Sequence, residues 1–183
     1  MKAGIFPKPY ADTVARLRVP AGFVLAAAFV WLSSPSPRSL LLGLILSVLG
    51  LALRAWAAGH LAKNESLAET GPYAFVRNPL YIGTLIAALG LVIAGRSVIL
   101  LAVFLAVFLL VYLPVIELEE QHLRKLFPAY DAYARRVPAL RPLLRPAGPV
   151  GRFRPRLYWR NQEYNALFAL AIAAIVLIVK LIY

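Results

Sequence analysis

Residues Leu40–Ala58 read LLLGLILSVLGLALRAWAA, nineteen positions with a single charge, Arg54. A helix rises about 1.5 Å per residue, so about 20 apolar residues cross the hydrocarbon layer of a bilayer. This stretch therefore predicts a membrane-spanning helix. Outward from it, Val19–Leu32, Pro79–Ala94, Val98–Ile116 and Ala166–Ile182 are apolar as well, the first and third of these short for a span. Backbone polar groups in lipid must be satisfied within their own segment, which forces helix, and the alternation of a barrel strand is missing. The expected fold is all-α and integral to the membrane: about five transmembrane helices in one domain, residues 1–183.

Composition agrees. The chain has 183 residues, 61% of them hydrophobic and 15% charged, whereas soluble domains run about 45–50% apolar and about 25% charged. An ordinary soluble enzyme, a disordered chain and a large multidomain protein are all excluded. There is no cysteine, so disulfides, a thiolate nucleophile and Cys-ligated metal are out. His60 and His122 fit no zinc-ligand spacing, and no metal site is expected. A net charge of +12 in so apolar a chain points to anionic lipid and membrane topology rather than nucleic acid.

Basic residues orient the spans. With the N-terminus inside, all but Arg38, Arg96 and Lys180 of the 20 Lys and Arg fall on the cytoplasmic side, Lys2, Lys8, Arg16 and Arg18 among them. The stretch after Arg16 and Arg18 partly resembles a signal peptide, but Pro35 and Pro37 crowd the cleavage region, so a retained signal anchor is expected. The outside connections are mere turns. Two substantial segments, 59–78 and 117–165, lie inside, and any active site opens toward the cytoplasm.

The later segment reads in two parts. Glu117–Val137 continues the fourth helix, bending at Pro128, with Phe127, Tyr130 and Tyr133 as an interfacial aromatic stripe. Pro138, Pro142, Pro146, Pro149 and Pro155 then break regular helix. The arginines between them suit a basic connector lying on anionic headgroups, with direct substrate contact as the alternative.

Three clusters bear possible chemistry. Gly71-Pro-Tyr73 and Arg77-Asn-Pro79-Leu-Tyr81-Ile-Gly83 surround a helix start at which Asn78 is placed to cap. Tyr73 and Tyr81 are equally readable as interface aromatics and Arg77 as a headgroup contact, although a helix N-terminus also favours an anionic group. In Glu117-Leu-Glu119-Glu120-Gln-His122-Leu-Arg124, successive side chains diverge by about 100°. Glu120 pairs at i,i+4 with Arg124 on a solvated face, while Glu119, with Leu123 four residues on, is expected on a more apolar side as a buried acceptor for ribose hydroxyls. Asn161-Gln-Glu163-Tyr164 precedes the last span, with Asn161 either a cap or a polar contact to a cofactor.

These motifs, together with Phe127-Pro-Ala-Tyr130, Tyr133 and Val137-Pro138, resemble the isoprenylcysteine carboxyl methyltransferase family, part of the wider group that includes phospholipid methyltransferases. The resemblance covers about residues 43–140. It implies S-adenosylmethionine as methyl donor in a cytoplasmic-side pocket, with the cofactor-binding core over about 59–140. It also implies a lipophilic or lipidated acceptor, an isoprenylcysteine-type carboxylate or another lipid-like molecule, entering among membrane lipids. Carried over by position, Glu65, Ser66, Leu67, Ala68, Tyr73, Asn78, Pro79, Leu80, Tyr81 and Glu119 are the implied cofactor contacts. No catalytic residue is assigned. Two positions depart from the family pattern: Asn78 stands where His is usual and cannot titrate, and Val115 stands where eukaryotic members place an arginine for the prenylcysteine substrate. The rival readings are a non-enzymatic lipid-binding scaffold and, less favoured because only Arg54 is charged within a span, a transporter.

Overall fold

In the computed structural model, which describes residues 6–183, the chain is helical and the described residues form no strand. The helices are α1 Lys8–Leu32, α2 Pro37–Ala58, α3 Pro79–Gly95, α4 Val98–Val107, α5 Leu113–Leu126, α6 Tyr130–Arg136, α7 Pro155–Arg160 and α8 Tyr164–Ile182. Lys2, counted above among the inside charges, lies outside the described residues, as do the side chains of Lys8 and Arg18. Three helices are long and apolar enough to cross a membrane: Pro37–Ala58, the continuous Val98–Leu126, and Tyr164–Ile182. Among the described residues, Gly22–Leu32 is the apolar part of α1, and α3, Pro79–Gly95, is a shorter apolar helix of 17 residues.

The closest packing is between α2 and α3, where small residues line both faces. A Cβ on Gly50 would lie 2.4 Å from the Ala87 amide nitrogen, and one on Gly90 would lie 2.5 Å from the Gly43 carbonyl. The Ser47 hydroxyl, buried at this seam, donates to the Ala87 carbonyl at 2.9 Å. With lipid on the outside there is little hydrophobic gain in pairing helices, so close backbone approach and dispersion hold the pair.

Arg54 does not snorkel to the surface as its position near the end of α2 suggests. Its guanidinium makes a forked pair with Glu163, at 3.0 and 2.8 Å, and also donates to Thr84 on α3. Glu163 is nearly buried. This one charge thus ties α2 and α3 to the start of α8. Asn161 likewise neither caps α8 nor reaches the site; its amide donates to the Ala58 and Leu61 carbonyls at 3.1 and 2.9 Å, satisfying the end of α2. At the opposite end, Ser34 N–H donates to Gly95 O and Lys180 to Val30 O, closing the short turns.

The join of α4 and α5 follows from Pro114. A proline has no N–H for the carbonyl four residues earlier and its ring collides with it. The helix accommodates this by widening into a π turn at Phe108–Tyr112, and the released Leu110 carbonyl accepts from the Tyr10 hydroxyl of α1 at 2.7 Å. Pro128 ends α5 rather than bending it. Phe127 precedes it and is extended, φ −123° and ψ 111°, as a residue before proline prefers.

Gly50→Leu should strain the α2–α3 seam by about 1–3 kcal/mol or more, as overpacking does, and lower the melting temperature in detergent. Gly22→Ala, whose added methyl meets open space, should not. Equal melting temperatures for Gly50→Leu and the wild type would show that the seam tolerates separation.

Candidate functional site

The end of α2, the start of α3, the exit of α5 and the start of α8 converge at one end of the bundle, where the two long segments fold onto each other. Residues 59–78 are held on their outer side by the proline-rich strap of residues 138–154. Gly71 N–H donates to Val150 O at 2.6 Å, Ala147 N–H to Ala74 O at 2.8 Å, Leu143 N–H to Phe75 O at 2.9 Å, Arg77 N–H to Pro138 O at 2.9 Å and Arg154 N–H to Gly59 O at 3.0 Å. The strap is therefore stitched down at five points, although its four prolines deny it helix. Gly71 sits at φ +60° with its α-carbon against the His60 ring, where a Cβ would lie 2.5 Å away; only glycine meets both demands.

Beneath this segment is a cavity of about 410 Å³, within the usual range for small-molecule sites. Of the residues expected at a cofactor site, Ser66, Leu67, Ala68, Tyr73, Asn78, Pro79, Leu80, Tyr81 and Glu119 all line it. Glu65 is not among the lining residues; its carboxylate accepts from Arg160 at 2.8 Å and is largely exposed. Lys63, Asn64, Arg77 and His122 line the cavity too. The first two had no signal beyond lying beside Glu65–Ala68, and His122 lies one helical step from Glu119 on α5.

The two glutamates divide the work differently from the helical-face argument. Glu119 is exposed at the cavity and accepts from the Tyr81 hydroxyl at 2.6 Å. Glu120 is the more buried of the two, and it does not pair with Arg124, which binds Asp131 at 2.7 Å instead. Arg77 Nε lies 3.1 Å from Glu120, and the Asn78 amide donates to Glu120 at 2.9 Å and to Ala139 O at 3.1 Å. The i,i+4 rule describes an isolated helix surface; here Arg77 and Asn78, just before α3, take Glu120, and Asp131 of α6 takes Arg124. Asn78 accordingly gives its amide hydrogens to tertiary partners, and its side-chain oxygen accepts from no N–H of α3.

The aromatics are likewise interior. Tyr130 and Tyr133 are 1% and 3% exposed and pack with Val137, Leu67 and Leu123, so they are a small core and not an interfacial stripe. The Tyr133 hydroxyl donates to the Tyr73 carbonyl at 2.9 Å. Burial raises the pKa of all three tyrosines, which keeps them neutral. A second cavity, about 310 Å³ and almost wholly apolar, lies between α1, α3, α4 and α8. Tyr81 lines both cavities, and its ring meets Tyr112 edge-on at 6.1 Å.

A family model described as phospholipid methyltransferase matches residues 38–130, the span from α2 through the cavity to Tyr130. The chain belongs to the phospholipid methyltransferase family. Among curated proteins, the cobalt-zinc-cadmium resistance protein CzcN of Cupriavidus metallidurans is 36% identical over 137 residues, 69% of this chain and 62% of that protein. The nickel-cobalt-cadmium resistance protein NccN of Alcaligenes xylosoxydans xylosoxydans is 35% identical over 116 residues, 62% of this chain and 53% of that protein. The chain thus spans less than two thirds of either relative's length. No solved structure matches.

In this methyltransferase-family chain, the loop also carries a pH-sensitive contact. His60 is buried and its Nδ1 lies 3.0 Å from the Thr70 hydroxyl. Burial, and secondarily the charge of Arg154, lowers its pKa from the ordinary 6.5. The unfolded chain therefore binds a proton at this position before the folded one does. The stability this group contributes is present above about pH 6.5 and declines as pH falls through the depressed folded value. The melting temperature of the wild type should drop more steeply below about pH 6.5 than that of His60→Gln. Parallel curves would exclude His60 as the cause.

Proposed function

We propose that this chain is an S-adenosylmethionine-dependent methyltransferase that acts on a lipophilic acceptor at the cytoplasmic face of a membrane, in a five-span, N-terminus-inside arrangement. The observation that carries the reading is the meeting of nine motif residues, scattered from Ser66 to Glu119, around one cavity. The residues fit the cofactor. Glu119 offers a carboxylate for hydroxyl or amino donors, Tyr81 fixes that carboxylate by a charge-assisted hydrogen bond, and Leu67, Ala68, Pro79 and Leu80 supply apolar walls.

Once bound, the sulfonium cofactor supplies an activated methyl group. What remains for the protein is alignment of the acceptor and exclusion of water, and well-aligned reactants gain about 7–11 kcal/mol from proximity alone. The apolar second cavity, meeting the first at Tyr81, suits the hydrocarbon part of an acceptor, and Tyr81 stands between the two. Val115 also lines the first cavity and is buried. An apolar side chain there cannot grip a carboxylate, which favours another lipid-like acceptor over an isoprenylcysteine.

Titration of the purified chain with S-adenosylmethionine and S-adenosylhomocysteine tests the reading. Glu119→Gln, which removes a charged hydrogen-bond acceptor, should weaken binding by about 10- to 100-fold, and Tyr81→Phe should weaken it less. Glu65→Gln, away from the cavity, should bind as the wild type does. A folded sample with no saturable binding would refute the methyltransferase reading and favour the lipid-binding scaffold.

A further inference from the structure

We propose that the strap of residues 138–154, together with α7, is a docking surface for anionic lipid headgroups, and that headgroups held there steady the segment 59–78 that walls the cavity. The docking and the steadying of residues 59–78 stand on this surface and its hydrogen bonds, not on the methyltransferase reading. Arg141, Arg145, Arg152, Arg154 and Arg156 are exposed, and among the described residues none of them meets an acidic side chain. Their neighbours do: Arg136 pairs with Glu69 and Arg160 with Glu65, each at 2.8 Å. The loop's own acids are thus already taken, and a row of unpaired guanidinium groups remains, each able to fork onto a phosphate.

A free soluble anion does not account for what lies between those arginines. Leu144 is fully exposed, and Val150 and Phe153 are about half exposed. Basic groups interleaved with bare apolar ones match a surface that faces headgroups and the upper acyl region together. Its depth is marked independently by an aromatic ladder. Tyr158, Trp159, Tyr164 and Phe168 contact one another in succession, at centroid distances of 5.6, 5.6 and 6.3 Å, across α7 and into the apolar α8. Such aromatics collect at the headgroup level of membrane proteins, and Arg152, Arg154 and Arg156 sit immediately before them. Positive charge on this side also serves to orient the spans, but orientation requires only the presence of the arginines, not their attachment to the site.

The attachment is what gives lipid a means of acting. The five backbone hydrogen bonds described above join the strap to residues 59–77, and the Asn78 amide reaches the Ala139 carbonyl. Restricting the strap therefore restricts the segment that carries Ser66–Ala68 and Tyr73.

Hydrogen exchange on the full chain in nanodiscs tests this, comparing phosphatidylcholine alone with about one third phosphatidylglycerol. In anionic discs the amides of Gly71, Arg77, Leu143 and Ala147 should exchange about tenfold more slowly, while those within the α2–α3 seam should not change. The combined variant Arg141→Gln, Arg145→Gln, Arg152→Gln and Arg156→Gln should exchange alike in both lipids; Arg154 is kept because its charge lies beside His60. Lipid-independent exchange in the wild type would overturn the proposal, whatever the variant does. So would protection by inorganic phosphate in phosphatidylcholine discs, since that indicates a free-anion site. In the same discs, loss of S-adenosylmethionine binding with lipid-dependent exchange intact would refute the methyltransferase reading and leave the docking surface standing.

Discussion

The constraint on which the remainder of the structure depends is the backbone contact of α2 with α3. Gly43, Ser47 and Gly50 meet Gly83, Ala87, Gly90 and Ala94 so closely that neither helix can shift without collision. That contact fixes where α2 ends and where α3 begins, and hence the span that residues 59–78 must bridge. It also delivers Arg54 beside Thr84, where its fork can capture Glu163 and set the start of α8. In an apolar solvent, side-chain hydrophobicity cannot select one helix register over another. Small residues at the seam and one buried charge at its end provide that selection.

A second constraint operates at the open end. Glu120 gathers Arg77 and Asn78 from the start of α3, and Asn78 and Arg77 in turn bind Ala139 and Pro138 at the root of the strap. Three segments far apart in sequence are held through one carboxylate. Its neighbour Glu119 is thereby freed from structural duty and left at the cavity with Tyr81. Both side chains of the Arg77–Glu120 pair are only 15% exposed, so removing one leaves the other charge poorly solvated and uncompensated. The knot is consequently costly to break, and it holds Asn78, Pro79 and Leu80 against the cavity.

Much of this was legible from residues alone, because the relevant signals were local. Apolar runs bounded by Pro and Ser mark the helices, and the resemblance of the motifs to a methyltransferase family, rather than their spacing, implies that Tyr73, Asn78, Tyr81 and Glu119 share one neighbourhood. What was not legible depends on which surfaces cover which. The i,i+4 spacing of Glu120 and Arg124 is genuine, yet tertiary partners take both ends of it. Phe127, Tyr130 and Tyr133 have the spacing of an exposed stripe, but the Leu67 loop and the strap at Ala147 bury the two tyrosines. Pro114 signals a disturbed helix, whereas the rescue of Leu110 by Tyr10, a hundred residues away, has no local trace. Glu65 adjoins true lining residues and is drawn off by Arg160, which only the folded strap brings near.

The protonation states around the cavity narrow the chemistry that its own residues can perform. Asn78 cannot take a proton, and both hydrogens of its amide are committed, so the side chain has only its carbonyl oxygen left to offer a ligand. Tyr73, Tyr130 and Tyr133 are held neutral by burial, and Glu120 is engaged with Arg77. Glu119 and His122 also line the cavity, the first with its carboxylate held by Tyr81. That hydrogen bond, at 2.6 Å, engages one of the two carboxylate oxygens of Glu119. On the methyltransferase reading proposed above, an acceptor that arrives ionised asks for no base, which suits a lining whose tyrosines are held neutral and whose Asn78 cannot titrate.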